Sequence, residues 1–509
     1  MCEKSEKPSF KKPIINLQGL RKSFGRKVVL DGINLQVTEK QALCICGANA
    51  AGKTTLLRII TGLLQPDDGK VQICGFETAT HSSKTKGIIG AIFHKPMVYP
   101  QLTVEQNLRF FAKLYALEDG HSRIEQLTEQ MALTAYRYDS AGILSRGIMR
   151  RLAIARALIH KPTILIADEP FAGLDQQACK QLTAILRDFT DQGGTVLMTT
   201  HNADFALKCC EKVAVLDQKK LIFKANVAEI NTVEFSRDYL AYAKEKSDIS
   251  PARRQASSST PSRPLPAEAG QLKNSFNIIR AIFTKDLLSE FRTKQLLPTI
   301  IVFGLLIAWV FHIATAATIA DKAAPAAAVI LVALLFSVIL ASQRSFAVEY
   351  ENDCISSLLL ATADAGDIYI GKLLVNIVML CIFEVVAAPA VLALFGVNPA
   401  GRWVELICVL VLINVGFSSI ATLLGCAVQT TKPTSSLLSI LVTAALLPMM
   451  IPAIFALLLL FGAIGTQVVG ISELALVGDF KRAVGFLVAF DAIFVTLCWL
   501  LFNVVVKQS

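Results

Sequence analysis

The sequence predicts two domains of different fold class, an α/β domain followed by an all-α six-helix transmembrane domain. The 509 residues are 53% hydrophobic and 18% charged, with a mean hydropathy of +0.52, which is too apolar for one soluble domain. The charge is also unevenly divided, since residues 296–509 contain 8 Lys and Arg and 11 Asp and Glu, against 42 and 29 in residues 1–295. The second part contains repeated apolar runs of about 20 residues, the length of helix that crosses a bilayer.

The formal net charge of +10 is compatible with a nucleic-acid partner, but its position favours other partners. Part of it lies in residues 251–295, directly before the first apolar run, where anionic lipid headgroups attract basic segments. We therefore expect membrane lipids, and no nucleic acid, as partners. Residues 1–13 lack the apolar stretch of a secretory signal, so the first domain is expected to stay in the cytoplasm. The twelve cysteines never occur as C-x-x-C, which favours reduced thiols.

The α/β domain is predicted to span residues 1–230, because short apolar strands there alternate with helical segments. The strands are seen in the runs VVLDGINLQV, ALCICG, VQICGF, ILIAD, TVLMTT, VAVLD and LIFKA. Residues 231–274 are rich in Ser, Pro and Arg, which predicts a flexible linker.

The transmembrane domain is predicted to span residues 275–509 and to begin with an amphipathic helix at the membrane surface. The predicted spans are 296–317, 325–341, 373–395, 404–428, 435–464 and 484–506. The fifth contains Pro448 and Pro452, so we expect it to be kinked or broken. An even number of spans places both termini in the cytoplasm, and the excess of Lys and Arg on that side agrees.

A phosphate-binding loop follows the strand ALCIC and opens a helix, which is the context that gives G-x-x-x-x-G-K-[ST] its meaning. Backbone N–H groups would surround the β-phosphate, Lys53 would reach the β- and γ-phosphates, and Thr54 would hold Mg²⁺. The predicted ATP-binding residues of this loop are Gly47, Ala48, Asn49, Ala50, Ala51, Gly52, Lys53, Thr54 and Thr55.

A second motif, which contains two acidic residues, begins at the end of the strand ILIAD. Asp168 is placed to join Thr54 in the Mg²⁺ shell, and Glu169 is placed to polarise an attacking water. Between the two motifs lies LSRG, at residues 144–147, followed by the helix MRRLAIARALI.

In this order of motifs the chain resembles the ATP-binding cassette (ABC) ATPases over nearly all of residues 14–224. The resemblance implies an α/β P-loop ATP-binding cassette domain with ATP and Mg²⁺ as cofactors, and it implies several further roles. Phe24 would stack on adenine, or is an ordinary core residue; His201 would contact the γ-phosphate and serve catalysis with Glu169. Ser145 and Gly147 of the signature would bind the γ-phosphate of ATP held by Lys53 of another copy, and Asp175 of the D-loop would also bind ATP.

Two positions depart from the family's pattern. Arg146 replaces the first glycine of the signature, and His94 stands where the family has its Q-loop glutamine. An imidazole there could contact the metal's water or the neighbouring domain, or be a bystander. Since one cassette cannot complete its own site, we expect a homodimer with two ATP molecules between the cassettes; a different partner chain is the alternative.

The membrane half offers fewer polar candidates. The acidic segment from Phe346 to Lys372 is interpreted as a coupling helix that docks on the basic cassette, or as a solvated loop. Glu384 and Asp491 fall inside predicted spans and are candidates for a translocation path or for inter-helix hydrogen bonds. His312, a lone histidine, is more typical of an interfacial residue than of a metal ligand.

The span order and the loop FAVEYENDCISSLLLATADAGDIYIGKLL resemble the membrane subunit of the bacterial cytochrome c maturation system, a haem exporter. LSRG, DEPFAGLD and His94 resemble its ATPase subunit, so the two subunits would be fused here, with Cys354 at an expected glycine. The resemblance implies ATP-driven haem export, or release of a haem-loaded chaperone from a haem-handling membrane protein. Dispersed Trp residues and the single membrane-half histidine favour release. The alternatives are a type 2 exporter of a lipid, drug or glycan, and a membrane-anchored regulatory ATPase.

Overall fold

The computed structural model describes residues 13–78, 85–247, 275–316, 322–361, 364–399, 401–431, 435–462 and 480–507. These residues form two compact units. Unit 1 comprises the described residues of the ranges 1–274 and 352–363, and unit 2 comprises those of the ranges 275–351 and 364–509. The predicted fold class is confirmed, because an α/β domain is followed by six long apolar helices.

Unit 1 is built on two sheets. The antiparallel sheet has the order β2-β1-β4-β5, and the second sheet has the order β10-β9-β3-β8-β7-β6, parallel apart from β10. The strands are β1 (Pro13–Phe24), β2 (Lys27–Thr38), β3 (Ala42–Cys46), β4 (Asp68–Ile73), β5 (Phe76–Glu77), β6 (Ile89–Ile92), β7 (Ile164–Asp168), β8 (Thr195–Thr200), β9 (Lys212–Asp217) and β10 (Lys220–Asn226).

Strands β3, β6, β7 and β8 are buried along their whole length, which explains why they appear in the sequence as continuous apolar runs. Because β8 lies between β3 and β7, the loops after these three parallel strands meet at one edge of the sheet. The phosphate loop, the acidic pair and His201 all follow those strands.

The helices of unit 1 before residue 248 are α1 (Lys53–Ile60), α2 (Val104–Leu114), α3 (Gly120–Gln130), α4 (Arg146–Leu158), α5 (Gln176–Asp191), α6 (Ala203–Cys209), α7 (Thr232–Arg237) and α8 (Tyr239–Ser247). Helices α7 and α8 occupy the start of the predicted linker. Phe235 and Tyr242 are buried there and pack against Phe223 of β10. We therefore propose that the domain ends near residue 245 rather than at 230; residues 248–274 lie outside the described residues.

The helices after residue 274 are α9 (Ser275–Thr293), α10 (Leu296–Ala316), α11 (Ala323–Glu351), α12 (Cys354–Ala361), α13 (Ala365–Phe395), α14 (Trp403–Thr431), α15 (Ser435–Leu460) and α16 (Phe480–Lys507). Helix α12 belongs to unit 1 and the others to unit 2. Within the described ranges, six helices are long and apolar enough to cross a membrane, as predicted. Helix α15 continues through Pro448 and Pro452, so the expected break does not occur.

Candidate nucleotide site

A cleft of about 390 Å³ lies at the edge of the sheet where β3 and β7 end. It is lined by Val29, Ala48, Asn49, Ala50, Gly52, Lys53, Thr54, Thr55, His94, Asp168 and Glu169. The fold therefore brings together most residues of the predicted phosphate loop, the acidic pair and the Q-loop position. Val29, on β2, is an apolar wall residue that the motifs alone did not reveal.

Two glycines of the phosphate loop are required by close contacts. A Cβ on Gly47 would lie 2.6 Å from the carbonyl oxygen of Leu216, and Gly52 has φ +105°, a conformation that side chains rarely adopt. The amine of Lys53 is buried and donates to the carbonyls of Gly47 and Ala48 at 2.7 and 3.2 Å. The loop is thus closed around its own lysine, directly before the N-terminus of α1, which favours anions.

Hard oxygen groups lie together beside the lysine. The hydroxyl of Thr54 donates to Oδ2 of Asp168 at 2.6 Å, and the hydroxyl of Thr199 on β8 donates to Oδ1 at 2.6 Å. A hydroxyl and a carboxylate suit Mg²⁺, and the described residues contain no cluster of three or more His, Cys, Asp or Glu side chains able to hold a metal. The donor set therefore fits a magnesium ion completed by phosphate and water; Thr199 was not found from the sequence.

The two predicted catalytic side chains are in contact. Oε2 of Glu169 lies 2.8 Å from Nδ1 of His201, and Oε1 lies 3.4 Å from the ammonium of Lys53. Glu169 has φ +45° and its N–H donates to the carbonyl of Thr199, so the backbone after β7 is held in an uncommon conformation. The arrangement places a carboxylate in the cleft with an imidazole in contact with it, a pairing suited to orienting a water.

His94 lines the cleft and is exposed, so an imidazole does occupy the Q-loop position beside the acidic pair. Phe24 ends β1 and is 51% exposed, with the ammonium of Lys22 5.7 Å from its ring centroid. Because it is not a core residue, its surface is available to a nucleotide base. It does not line the cleft itself.

The signature and D-loop residues do not line the cleft that holds the phosphate loop. Ser145 caps α4 and accepts from the N–H of Ile148, while a Cβ on Gly147 would meet nothing within 4 Å. Asp175 caps α5 by accepting from the N–H of Ala178 at 2.7 Å. Among the described residues, these groups therefore lie outside the lining of the cleft beside this chain's own phosphate loop.

Arg150, which was not singled out from the sequence, connects α4 to the acidic motif. Its guanidinium donates to the carbonyls of Phe93, Asp168, Glu169 and Pro170, at 2.5, 3.1, 2.9 and 3.2 Å. Burial lowers its pKa to about 10, so the guanidinium is charged at neutral pH.

The segment predicted to act as a coupling helix is divided between the two units. Residues 346–351 continue α11, whereas α12 and the two residues before it belong to unit 1. There Nη2 of Arg58 lies 2.8 Å from Oδ2 of Asp353, and the N–H of Met97 donates to the carbonyl of Asn352. The thiol of Cys354 donates to the carbonyl of Val98 at 3.3 Å.

The two carboxylates predicted inside spans are buried in unit 2. Oε2 of Glu384 on α13 accepts from Nδ2 of Asn414 on α14 at 2.9 Å, while Oε1 has no hydrogen-bond partner among the described residues. Asp491 on α16 packs against Gly416, where an added Cβ would lie 2.6 Å from Oδ1. The ring of His312 packs edge-on against Phe395.

A four-charge cluster, which comprises Lys285, Asp286, Glu349 and Lys372, is buried elsewhere in unit 2. Glu349 lies 2.7 Å from the ammonium of Lys285 and 2.7 Å from that of Lys372, and Asp286 contacts the same two ammonium groups. Glu349 is 0% exposed. It is therefore a partner of two lysines inside unit 2 and not a solvated acidic side chain.

Comparisons with known proteins match one family before residue 275 and another family after it. The ABC transporter family matches residues 30–172, and the CcmB protein family matches residues 277–497. The Nod factor export ATP-binding protein I of Ralstonia nicotianae is 34% identical over 44% of this chain and 71% of its own length. The linearmycin resistance ATP-binding protein LnrL of Bacillus subtilis is 30% identical over 41% and 68%. A solved ATP-binding subunit of an ABC transporter aligns with TM-score 0.42 and 24% identity, over 46% of this chain and 99% of that chain.

Proposed function

The chain belongs to the ABC transporter family, an ATPase cassette joined to a CcmB domain in one multi-pass membrane protein, and we propose that it acts in cytochrome c biogenesis. ATP hydrolysis would drive haem export, or release of a haem-loaded chaperone from a haem-handling membrane protein, at the bacterial cytoplasmic membrane. The observation that carries this proposal is the CcmB match over residues 277–497, directly after the cassette. Both termini and the cassette would be cytoplasmic.

Five residues in or beside the cleft have a proposed role in ATP hydrolysis. Lys53 would exchange its contacts with loop carbonyls for the β- and γ-phosphates. Thr54 and Asp168 would hold a magnesium ion, which would neutralise developing phosphate charge. Glu169 would orient the attacking water, and His201, 2.8 Å from its carboxylate, would contact the γ-phosphate.

We propose a homodimer in which the signature of one copy completes the cleft of the other. Ser145, Gly147 and Asp175 support this arrangement, because they do not line the cleft beside their own phosphate loop. A helix N-terminus with an uncrowded glycine is suited to approach a phosphate. A different partner chain remains the alternative arrangement.

Between the two haem versions, we propose chaperone release rather than export. Residues 275–509 contain one histidine, His312, and its ring packs on Phe395. One chain therefore lacks a histidine pair for haem iron in its membrane half. The haem would then be bound by a partner protein, and this chain would supply the work of ATP hydrolysis.

A type 2 exporter is the second candidate function, favoured by relatives named for Nod factor export and linearmycin resistance. For either function we propose that Glu384 and Asp491 serve inter-helix contact or a translocation path. The hydrogen bond from Asn414 to Glu384 supports the former role. An ionised carboxylate inside a membrane span is energetically unfavourable, which supports a role for both residues.

The decisive experiment is deletion of the gene in its native host, followed by haem staining of c-type cytochromes and of the haem chaperone. Loss of c-type cytochromes with accumulation of haem-loaded chaperone supports the release proposal. Normal c-type cytochromes refute the role in cytochrome c biogenesis and favour the exporter. Complementation with Lys53→Ala is the matched control for a requirement for ATP.

A further inference from the structure

The guanidinium of Arg150 donates to four main-chain carbonyls beside the nucleotide cleft. Nη1 donates to Phe93, Nη2 to Asp168 and Glu169, and Nε to Pro170. The residue is 8% exposed. Three of these carbonyls belong to the last residue of β7 and the turn after it, and the fourth belongs to the residue before His94.

That turn needs support from outside, because Glu169 has φ +45°. A non-glycine residue keeps such a strained conformation only where its surroundings fix it. On one side the N–H of Glu169 donates to Thr199, and on the other its carbonyl accepts from Arg150. The direction of the Glu169 carboxylate therefore depends on Arg150 as well as on β8.

Arg150 also lies in the first turns of α4, three residues after Gly147 of the signature. We propose that Arg150 is a positioning residue, which links the signature helix to the backbone that aims Glu169 and His94. A shift of α4 when the signature meets ATP would then move the catalytic carboxylate of the same chain. This second step rests on the proposed two-copy arrangement, whereas the positioning of Glu169 does not.

Arg156 provides a matched control on the same helix. It is 4% exposed, and its Nη2 donates to the carbonyl of Ala91 within β6 at 2.6 Å and contacts Met97. It is as buried as Arg150 and also donates to a backbone carbonyl, but among the described residues no hydrogen bond joins it to the turn that carries Glu169. A purely structural role for buried arginines on α4 would make the two residues equivalent.

The test compares Arg150→Lys and Arg156→Lys in the full chain, purified in lipid nanodiscs, because a compact ammonium cannot span four carbonyls. We expect Arg150→Lys to lower kcat for ATP about 10- to 100-fold, with KM within about threefold, and to bring the Hill coefficient toward 1. Arg156→Lys should leave kcat, KM and the Hill coefficient near the parent values.

ATP affinity measured in the Glu169→Gln background checks that the cleft is intact, and Arg150→Lys should bind there as the parent does. An unchanged kcat for Arg150→Lys overturns the proposal, as do equal losses in both variants or a loss of ATP binding in that background. A chain that stays monomeric with ATP removes only the Hill-coefficient expectation. Normal cytochrome c in the deletion strain removes the biological role and leaves the positioning result standing.

Discussion

Glu349 holds the four-charge cluster together, because its Oε1 accepts from both lysines. Glu349→Gln keeps the size of the side chain but leaves two ammonium groups with the carboxylate of Asp286. Each ammonium lies 2.7 Å from the Glu349 carboxylate, and Lys285, Glu349 and Lys372 have side chains at most 3% exposed. Removing one partner of such a buried pair costs about 3–5 kcal/mol. For a domain of this size the apparent melting temperature should fall by about 6–20 °C.

The assay is thermal unfolding of the purified full chain in detergent, followed by tryptophan fluorescence. Glu351→Gln is the matched control, since Glu351 is exposed two residues further along the same helix, and it should melt with the parent. Adding Lys285→Met to Glu349→Gln restores charge balance and should recover at least half of the lost stability. A single variant that melts within about 2 °C of the parent refutes the reasoning, as does a double variant that melts below the single one.

The pH dependence of the parent gives an independent check on the same cluster. Burial opposes the charged form of Lys285, but the carboxylates of Asp286 and Glu349 outweigh it, so its pKa lies above the ordinary value. A lysine with a raised pKa contributes its full stabilisation below the unfolded pKa of about 10.4 and loses it only as the pH rises through the folded pKa. Titration of Lys285 should therefore leave the melting temperature unchanged between pH 6 and pH 9.

Three further predictions concern the cassette, the ion pair between Arg58 and Asp353, and the packing of α14 in unit 2. Glu169→Gln should lower kcat about 10²- to 10⁴-fold and trap a nucleotide-bound dimer on size exclusion; a variant that hydrolyses ATP at the parent rate would remove Glu169 from its role. Asp353→Arg places like charges opposite Arg58, so cytochrome c haem staining should fall while ATP binding persists, and Arg58→Asp in the same chain should restore staining. Gly416→Ala should lower the free energy of unfolding by about 1–3 kcal/mol, because the added Cβ meets Met449 and Asp491, whereas Gly485→Ala has open space and should not destabilise; equal melting of the two variants would contradict the packing.

The nucleotide site could be predicted from the sequence because its residues follow strands at fixed positions. Parallel strands deliver Lys53, Asp168 and His201 to one edge of a sheet, so local motifs are enough to bring them together. The six spans could also be predicted from the sequence, since the length of each apolar run is enough to identify it. The proposed shift of the domain end from residue 230 to about 245 could not be predicted, because the two aromatic side chains that pack on β10, Phe235 and Tyr242, lie in a segment of polar composition.

The charged groups of the membrane half could not be predicted in the same way. Glu349 has its partners 64 and 23 residues away, on helices whose relative position no local pattern specifies. The acidic residues around Glu349 suggested an acidic loop after the second span. Helix α11 instead continues beyond the predicted span and buries the side chain of Glu349. Arg150 raised a similar problem, because two consecutive arginines do not reveal which one faces the core.

The chain around the start of α12, part of the segment predicted to act as a coupling helix, contacts the backbone that follows His94. The groups that meet this segment are the N–H of Met97 and the carbonyl of Val98, three and four residues after His94. Backbone groups are present whatever residue stands at position 94, so these contacts need no glutamine side chain there. Arg58, on the helix that the phosphate loop opens, meets the same segment through Asp353. Residues 352–354 are therefore held by the backbone that follows His94 and by the helix that the phosphate loop opens.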